Sequence, residues 1–318
     1  MRDPMNRAPF PAATIVGYGS VGRMFGSLLH ESGCDVARFD LLASSGVREC
    51  DVRAPSSDLL AAIAHTDLLL LALPEQALAD ALATLGPRLA THALLVETAS
   101  VKTCLEPVKK KQLASREILG VNPMFAPSLG MSGRPVAVSR QHPAAATARF
   151  EAMLKAAGAV VVEMSPERHD RIAANTQALA HAAILGFADA LRQSGDSLDD
   201  MLAVAPPPFR VMTALVARML GQSPEVYWDI QAGNPHAADA RLRLADGVAQ
   251  CSVQSAATHA QSFALWLGEL SRYFGSRQEE LGDLCAHIFA GLPRANTTQA
   301  KQFDAPFSNQ TSVSEEIS

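Results

Sequence analysis

At 318 residues the chain can fold as one large domain or as two of ordinary size. Its 48% hydrophobic and 19% charged residues supply ample material for a packed core, which excludes global disorder. The formal net charge of -5 speaks against nucleic acid as a main partner, because a phosphate-binding surface needs net basic character.

In the first half, short apolar runs alternate with amphipathic stretches. Residues 13–19 ("ATIVGYG"), 35–40 ("DVARFD"), 67–74 ("DLLLLALP") and 93–99 ("ALLVETA") read as strands. Each is almost continuously apolar, as a strand covered on both faces of a parallel sheet must be. Between the first two, "VGRMFGSLLHESG" predicts a helix that ends on the cap Gly33. The basic run "KKK" (Lys109, Lys110, Lys111) lies in a helix-like stretch and reads as a solvated face. "GVNPMFAP" (120–127), with two prolines around a Met-Phe pair, reads as a rigid loop. "RPVAVS" and "AVVVEM" then extend the sheet to residue 164. The alternation predicts an α/β, doubly wound, mostly parallel sheet.

From Ser165 onward the pattern changes to Ala- and Leu-rich helical periodicity, broken at Pro206–Pro208, Pro224 and Pro235. The expected organisation is an N-terminal extension (1–12), the α/β domain (13–164), an all-helical domain (165–295) and a polar, flexible tail (296–318). The five cysteines are scattered without a C-x-x-C pair, which predicts reduced, mostly buried thiols and no zinc site. The first ten residues lack the apolar core of a signal peptide, and "LLLLALP" is too short to span a bilayer. A soluble cytoplasmic protein is expected.

"GYGSVG" is G-x-G-x-x-G at Gly17, Gly19 and Gly22, directly after a strand and opening a helix. The first glycine permits the turn, the second admits a pyrophosphate, and the third lets helix and strand pack closely. Asp40 ends the second strand, 18 residues beyond Gly22. A carboxylate there accepts hydrogen bonds from both ribose hydroxyls of NAD and repels a 2′-phosphate. The expected cofactor is NAD in a Rossmann-type site, contacted also by Ser20 and Val21 in the turn and by Leu73 and Pro74 after the third strand. A structural turn without ligand is the plain alternative.

Ligands of such sheets lie at the carboxyl ends of the strands. "ETASVK" places Ser100 and Lys102 just past one strand end, and Asn122 is placed just past another. "HDRIAANTQALAH" carries Asp170, Gln177 and His181 at spacings of seven and four, on one helical face. Arg210 and Arg218, eight residues apart, share another stripe and could each clamp a carboxylate bidentately. Duller readings are open for each: Ser100 as a cap of a helix starting at Val101, His181 as a satisfied core histidine, Arg210 as a surface residue. His169 falls off the face of His181 and reads as serving the helix start.

Taken together, the glycine turn, S-V-K, N-P-M-F-x-P, the H-D…Q…H helix and the R…R helix resemble the prephenate dehydrogenase family over nearly the whole chain. The resemblance implies an N-terminal NAD domain, a C-terminal helical domain that forms a homodimer, and oxidative decarboxylation of a small cyclohexadienyl dicarboxylate. It places Ser100 by the C4 substituent and the nicotinamide, and Arg218 on the ring carboxylate. His181, Arg210 and Gln177 fall around the substrate's side chain or support that pocket.

Family members acting on prephenate carry histidine where this chain has Asn122. When hydride leaves C4 of prephenate, the hydroxyl becomes a carbonyl and sheds a proton, which an imidazole can accept. The neutral amide of asparagine cannot. A 4-amino substrate removes the need. Its nitrogen lone pair expels the hydride, and loss of carbon dioxide returns electrons to that nitrogen, giving an aniline with no net loss of an N–H proton. The leading expectation is therefore 4-amino-4-deoxyprephenate, converted to 4-aminophenylpyruvate for a specialised route such as antibiotic biosynthesis. The alternatives are prephenate or arogenate with another proton acceptor, and an NAD- and metabolite-binding pseudoenzyme acting as a sensor.

Overall fold

The computed structural model describes residues 8–142, 144–256 and 260–293. Eight strands form one sheet in the order β3-β2-β1-β4-β5-β6-β7-β8. They are β1 (Ala12–Val16), β2 (Asp35–Asp40), β3 (Arg48–Glu49), β4 (Leu68–Leu71), β5 (Leu94–Glu97), β6 (Ile118–Pro123), β7 (Pro135–Arg140) and β8 (Val160–Glu163). Every pairing is parallel except β6 with β7. The α/β doubly wound architecture expected from the sequence is present. The winding reverses between β1 and β4, which opens a crevice at their carboxyl ends.

The burial of β4 shows why its four leucines are continuous. Leu68 and Leu70 enter the core on one face with Phe10, Phe25 and Phe150, while Leu69 and Leu71 enter the other with Leu59, Ile63 and Leu78. A side-chain period of two on a sheet covered twice demands apolar residues at every position. The helix Ser20–Glu31 ends as expected, with Gly33 at φ +81 donating its N–H to the His30 carbonyl.

The reading of the sheet and of the lysine run differs from the structure in three places. The edge strand β3 is two residues long and too short to leave a periodic signal. Asn122 lies within β6, paired with Ala137 of β7, and not in a loop beyond a strand end. Its proline neighbour is tolerated because Pro123 is the last residue of the strand. Lys109 is not on a solvated face. It is 4% exposed and ion-paired to the fully buried Glu97, whereas Lys110 faces solvent.

Beyond Glu163 the described residues hold helices and turns without a strand. Pro207 and Pro224 occupy first helical positions, where a missing N–H costs nothing, so the sequence breaks are helix starts. Among the described residues, those through Ala182 together with Gln222–Ala245 form one compact unit. Ala183–Gly221 and the residues from Asp246 form a second. The first unit therefore extends beyond the sheet to the helix Pro166–Ala173. The expected tail, 296–318, lies outside the described residues, as do residues 1–7; Phe10 is fully buried.

Cys34 and Cys50 are buried and Cys104 half-buried, but Cys251 and Cys285 are exposed; all five are free. Among the described residues no helix is long and apolar enough to cross a membrane.

Candidate functional site

The glycine turn is built as its spacing demands. Gly17 has φ +87, and a Cβ there would run into the Ala72 carbonyl across the crevice. A Cβ on Gly22 would strike the Gly17 carbonyl. At Gly19 a Cβ would meet nothing within 4 Å, so open space lies over the start of the helix. No side chain caps that helix, which leaves the N–H groups of its first turn, where Ser20 and Val21 lie, available to an anion. Leu73 packs against Gly17, and Pro74 is the N-cap of the helix Glu75–Leu85. The Asp40 carboxylate accepts from the Tyr18 and Leu42 N–H groups, which hold it at the end of β2. The open space at Gly19, the uncapped turn and the fixed carboxylate fit a dinucleotide.

Past β5 the chain turns through Ser100 into a 3₁₀ turn at Thr103–Leu105. Beneath it Glu97 bonds Lys102 Nζ at 3.0 Å, Lys109 Nζ at 3.1 Å and the Ala99 N–H at 2.9 Å. Burial pushes the Glu97 carboxyl up, but the two ammonium groups outweigh it and hold the group ionised. Gly120 is required beside it, because a Cβ would collide with Glu97 Oε1 and Ser139 Oγ. Asp170 accepts from the N–H groups of Lys102 and Thr103, both at 2.8 Å, and from the Thr103 hydroxyl. The capping role considered for Ser100 thus belongs to Asp170. The Ser100 hydroxyl is half-buried and makes no hydrogen bond among the described residues.

Asp170 is also the outer member of a buried relay. His169 Nδ1 lies 2.7 Å from Asp170 Oδ1, and His169 Nε2 lies 3.0 Å from Asn122 Nδ2. Burial pushes the Asp170 carboxyl up, but the hydrogen bonds from His169, Lys102 and Thr103 lower it further. The sequence reading assigned His169 to the helix start and placed Asp170 with Gln177 and His181. Instead Ser165 Oγ caps that helix by accepting the Arg168 N–H, and a π-helical turn at Ala174–Ala178 shifts the angular register between Asp170 and the later residues. The adjacent H-D pair was the available signal. Both residues are buried where this helix packs against β7.

Gln177 directs Nε2 at the Met124 sulfur, 3.9 Å away, and its buried Oε1 has no partner among the described residues. It lines a largely apolar cavity of about 330 Å³ with Met124, Ala137, Val162 and His169. His181 meets Tyr227 edge-on at 5.0 Å and 87°, and its buried Nδ1 has no hydrogen-bond partner among the described residues. Burial lowers its pKa, so the ring is neutral near pH 7. Within the second unit, Arg210 donates to the Ala205 and Leu202 carbonyls and so closes the end of the helix Leu198–Ala203. Arg218 is exposed on the helix Pro207–Leu220.

Residues 165–268 match the family model described as "Prephenate dehydrogenase, dimerization domain". The chain is 38% identical over 283 residues to the 4-amino-4-deoxyprephenate dehydrogenase of Streptomyces pristinaespiralis, covering 87% of this chain and 96% of that protein. Its fold resembles the Aquifex aeolicus prephenate dehydrogenase solved with hydroxyphenyl propionate and NAD+, with a TM-score of 0.64 at 18% identity, covering 82% and 96% of the two chains. It also resembles Synechocystis arogenate dehydrogenase, with a TM-score of 0.56 at 20% identity and coverage of 82% and 99%. Identity that runs the length of a relative, on a glycine-turn sheet followed by the matched helical region, places the chain in the prephenate dehydrogenase family.

Proposed function

We propose that this chain is a cytoplasmic, NAD-dependent dehydrogenase that decarboxylates 4-amino-4-deoxyprephenate to 4-aminophenylpyruvate. Asn122 carries the reading: it stands in β6 with a neutral amide, donates one Nδ2–H to His169, and offers its carbonyl oxygen as an acceptor but supplies no base. That oxygen can accept an N–H from a 4-amino group and orient it; it cannot remove a hydroxyl proton. The name of the Streptomyces pristinaespiralis relative supports the same substrate.

Bound nicotinamide would supply the hydride acceptor. Gly17, Gly19, Ser20, Val21 and Gly22 would hold the pyrophosphate, Asp40 the ribose, and Leu73 and Pro74 the crevice wall. Ser100 and Asn122 would serve the reacting end of the substrate; Arg218 would serve its ring carboxylate, and His181, Arg210 and Gln177 its side chain or the pocket around it. His181, neutral by burial, would act as a hydrogen-bonding partner and not as a fixed charge. Exposed Leu242, Val248, Leu265, Leu267 and Phe274 on the C-terminal helices support assembly as a homodimer through that region.

The test is NAD reduction with 4-amino-4-deoxyprephenate, prephenate and arogenate side by side. The amine should react far faster. Efficient turnover of prephenate would replace this reading with a tyrosine-pathway enzyme, and NAD binding without turnover of any of the three would make the chain a sensor. Light scattering at micromolar concentration should return twice the chain mass.

A further inference from the structure

The geometry points to Asp170 and His169 as positioning residues that lock the amide of Asn122 with its oxygen toward the substrate, and so set the preference for an amine at C4. This rests on the function proposed above. The lock follows from donor and acceptor counting. Asp170 already accepts from two backbone N–H groups and a hydroxyl, which holds it as a carboxylate. His169 Nδ1, at 2.7 Å, must therefore carry the proton. In the neutral ring that leaves Nε2 as a lone-pair acceptor. Asn122 can meet it only through Nδ2–H, at 3.0 Å, because the flipped amide would set oxygen against a lone pair. His169 is 2% exposed and Asn122 4% exposed, so the flipped amide would set the mismatch among buried groups, where it is costly. No donor occupies Asn122 Oδ1 among the described residues.

Orientation matters because the reacting nitrogen must keep its lone pair free to expel the hydride. An inward oxygen takes an N–H and leaves that pair alone. An inward NH₂ would donate to the lone pair and hold it back. A C4 hydroxyl can hydrogen-bond to either end of the amide and gains a base from neither. Freeing the amide should therefore slow the amine substrate more than the hydroxyl substrate.

The experiment compares kcat/KM for 4-amino-4-deoxyprephenate and prephenate in wild type, His169→Leu and His169→Gln, with the Kd for NAD as control. His169→Leu removes both ends of the relay, and its amine-to-hydroxyl ratio should fall roughly tenfold, about the worth of one such hydrogen bond. The loss should appear in kcat more than in KM, with NAD affinity kept. His169→Gln can restore an acceptor to Nδ2 and should recover part of the ratio. Nitrogen NMR of the wild-type protein labelled in its histidine side chains supplies a readout independent of turnover and of any variant's folding. It should show His169 protonated at Nδ1 and bare at Nε2. A proton on Nε2 would overturn the lock even if the amine remains the substrate. A ratio unmoved in both variants would overturn its role in specificity. A wild type that does not prefer the amine would overturn the proposed function, while the NMR result still decides the amide's orientation.

Discussion

Replacing Glu97 by glutamine removes one charge and almost no volume from the floor of the Ser100 turn. Glu97 is fully buried and binds two ammonium groups, Lys102 at 3.0 Å and Lys109 at 3.1 Å. After the change Lys109 keeps Glu106 at 3.7 Å, but Lys102, itself 0% exposed, is left with neutral oxygens alone, the Val121 carbonyl at 3.2 Å and the new amide. Removing one partner of a buried pair costs about 3–5 kcal/mol. Lys102 could escape by losing its proton, and doing so at pH 7 from an ordinary pKa of 10.5 costs about 5 kcal/mol, which sets a ceiling. The expected loss of about 3–5 kcal/mol is a large share of a typical domain's stability. Denaturant unfolding at pH 7 measures it, and the double variant Glu97→Gln with Lys102→Met should recover most of it because no orphan charge is left. The carboxyl's folded pKa lies below its ordinary 4.5. Its contribution is therefore complete above that value and fades as acid titrates the folded protein, so wild type and variant should converge at low pH. A loss under about 1 kcal/mol, or a double variant as weak as the single one, would refute the ion cluster as described.

Three further outcomes are expected. Asp40 should make kcat/KM with NAD exceed that with NADP, through repulsion of the added phosphate; equal values would remove Asp40 from the cofactor site. Arg218→Gln should raise KM for the dicarboxylate by the equivalent of about 1.5–3 kcal/mol with NAD affinity unchanged, and unaltered kinetics would place the carboxylate clamp elsewhere. Asn122→His should donate one ring N–H to His169 Nε2 and leave its other nitrogen as a base, raising prephenate turnover by up to roughly 10²–10⁴-fold. That gain should grow with pH through an apparent pKa of about 6.5, and a flat profile would show that the new ring is not the base.

The sheet was legible because its causes are local. Leucines at every position of β4 declare a strand buried on both faces, and Gly17, Gly19 and Gly22 declare a turn in which each Cβ position is forbidden or left open to a ligand. Family membership was legible too, since it rests on motifs read along the chain. Three features had no local cause. Lys109 looked like part of a solvated basic run because the carboxylate that buries it comes from β5, twelve residues earlier. Asn122 looked like a loop residue because its strand is defined by antiparallel pairing with β7, a long-range contact. His169 looked like a helix-start residue because only the packing of its helix against β7 brings its ring to Asn122, 47 residues away, while a π-helical turn breaks the even helical spacing that had grouped Asp170 with Gln177. Periodicity and glycine chemistry act between neighbours and can be read from sequence alone; hydrogen-bond polarity in a buried relay depends on which groups meet, and only the tertiary structure decides that.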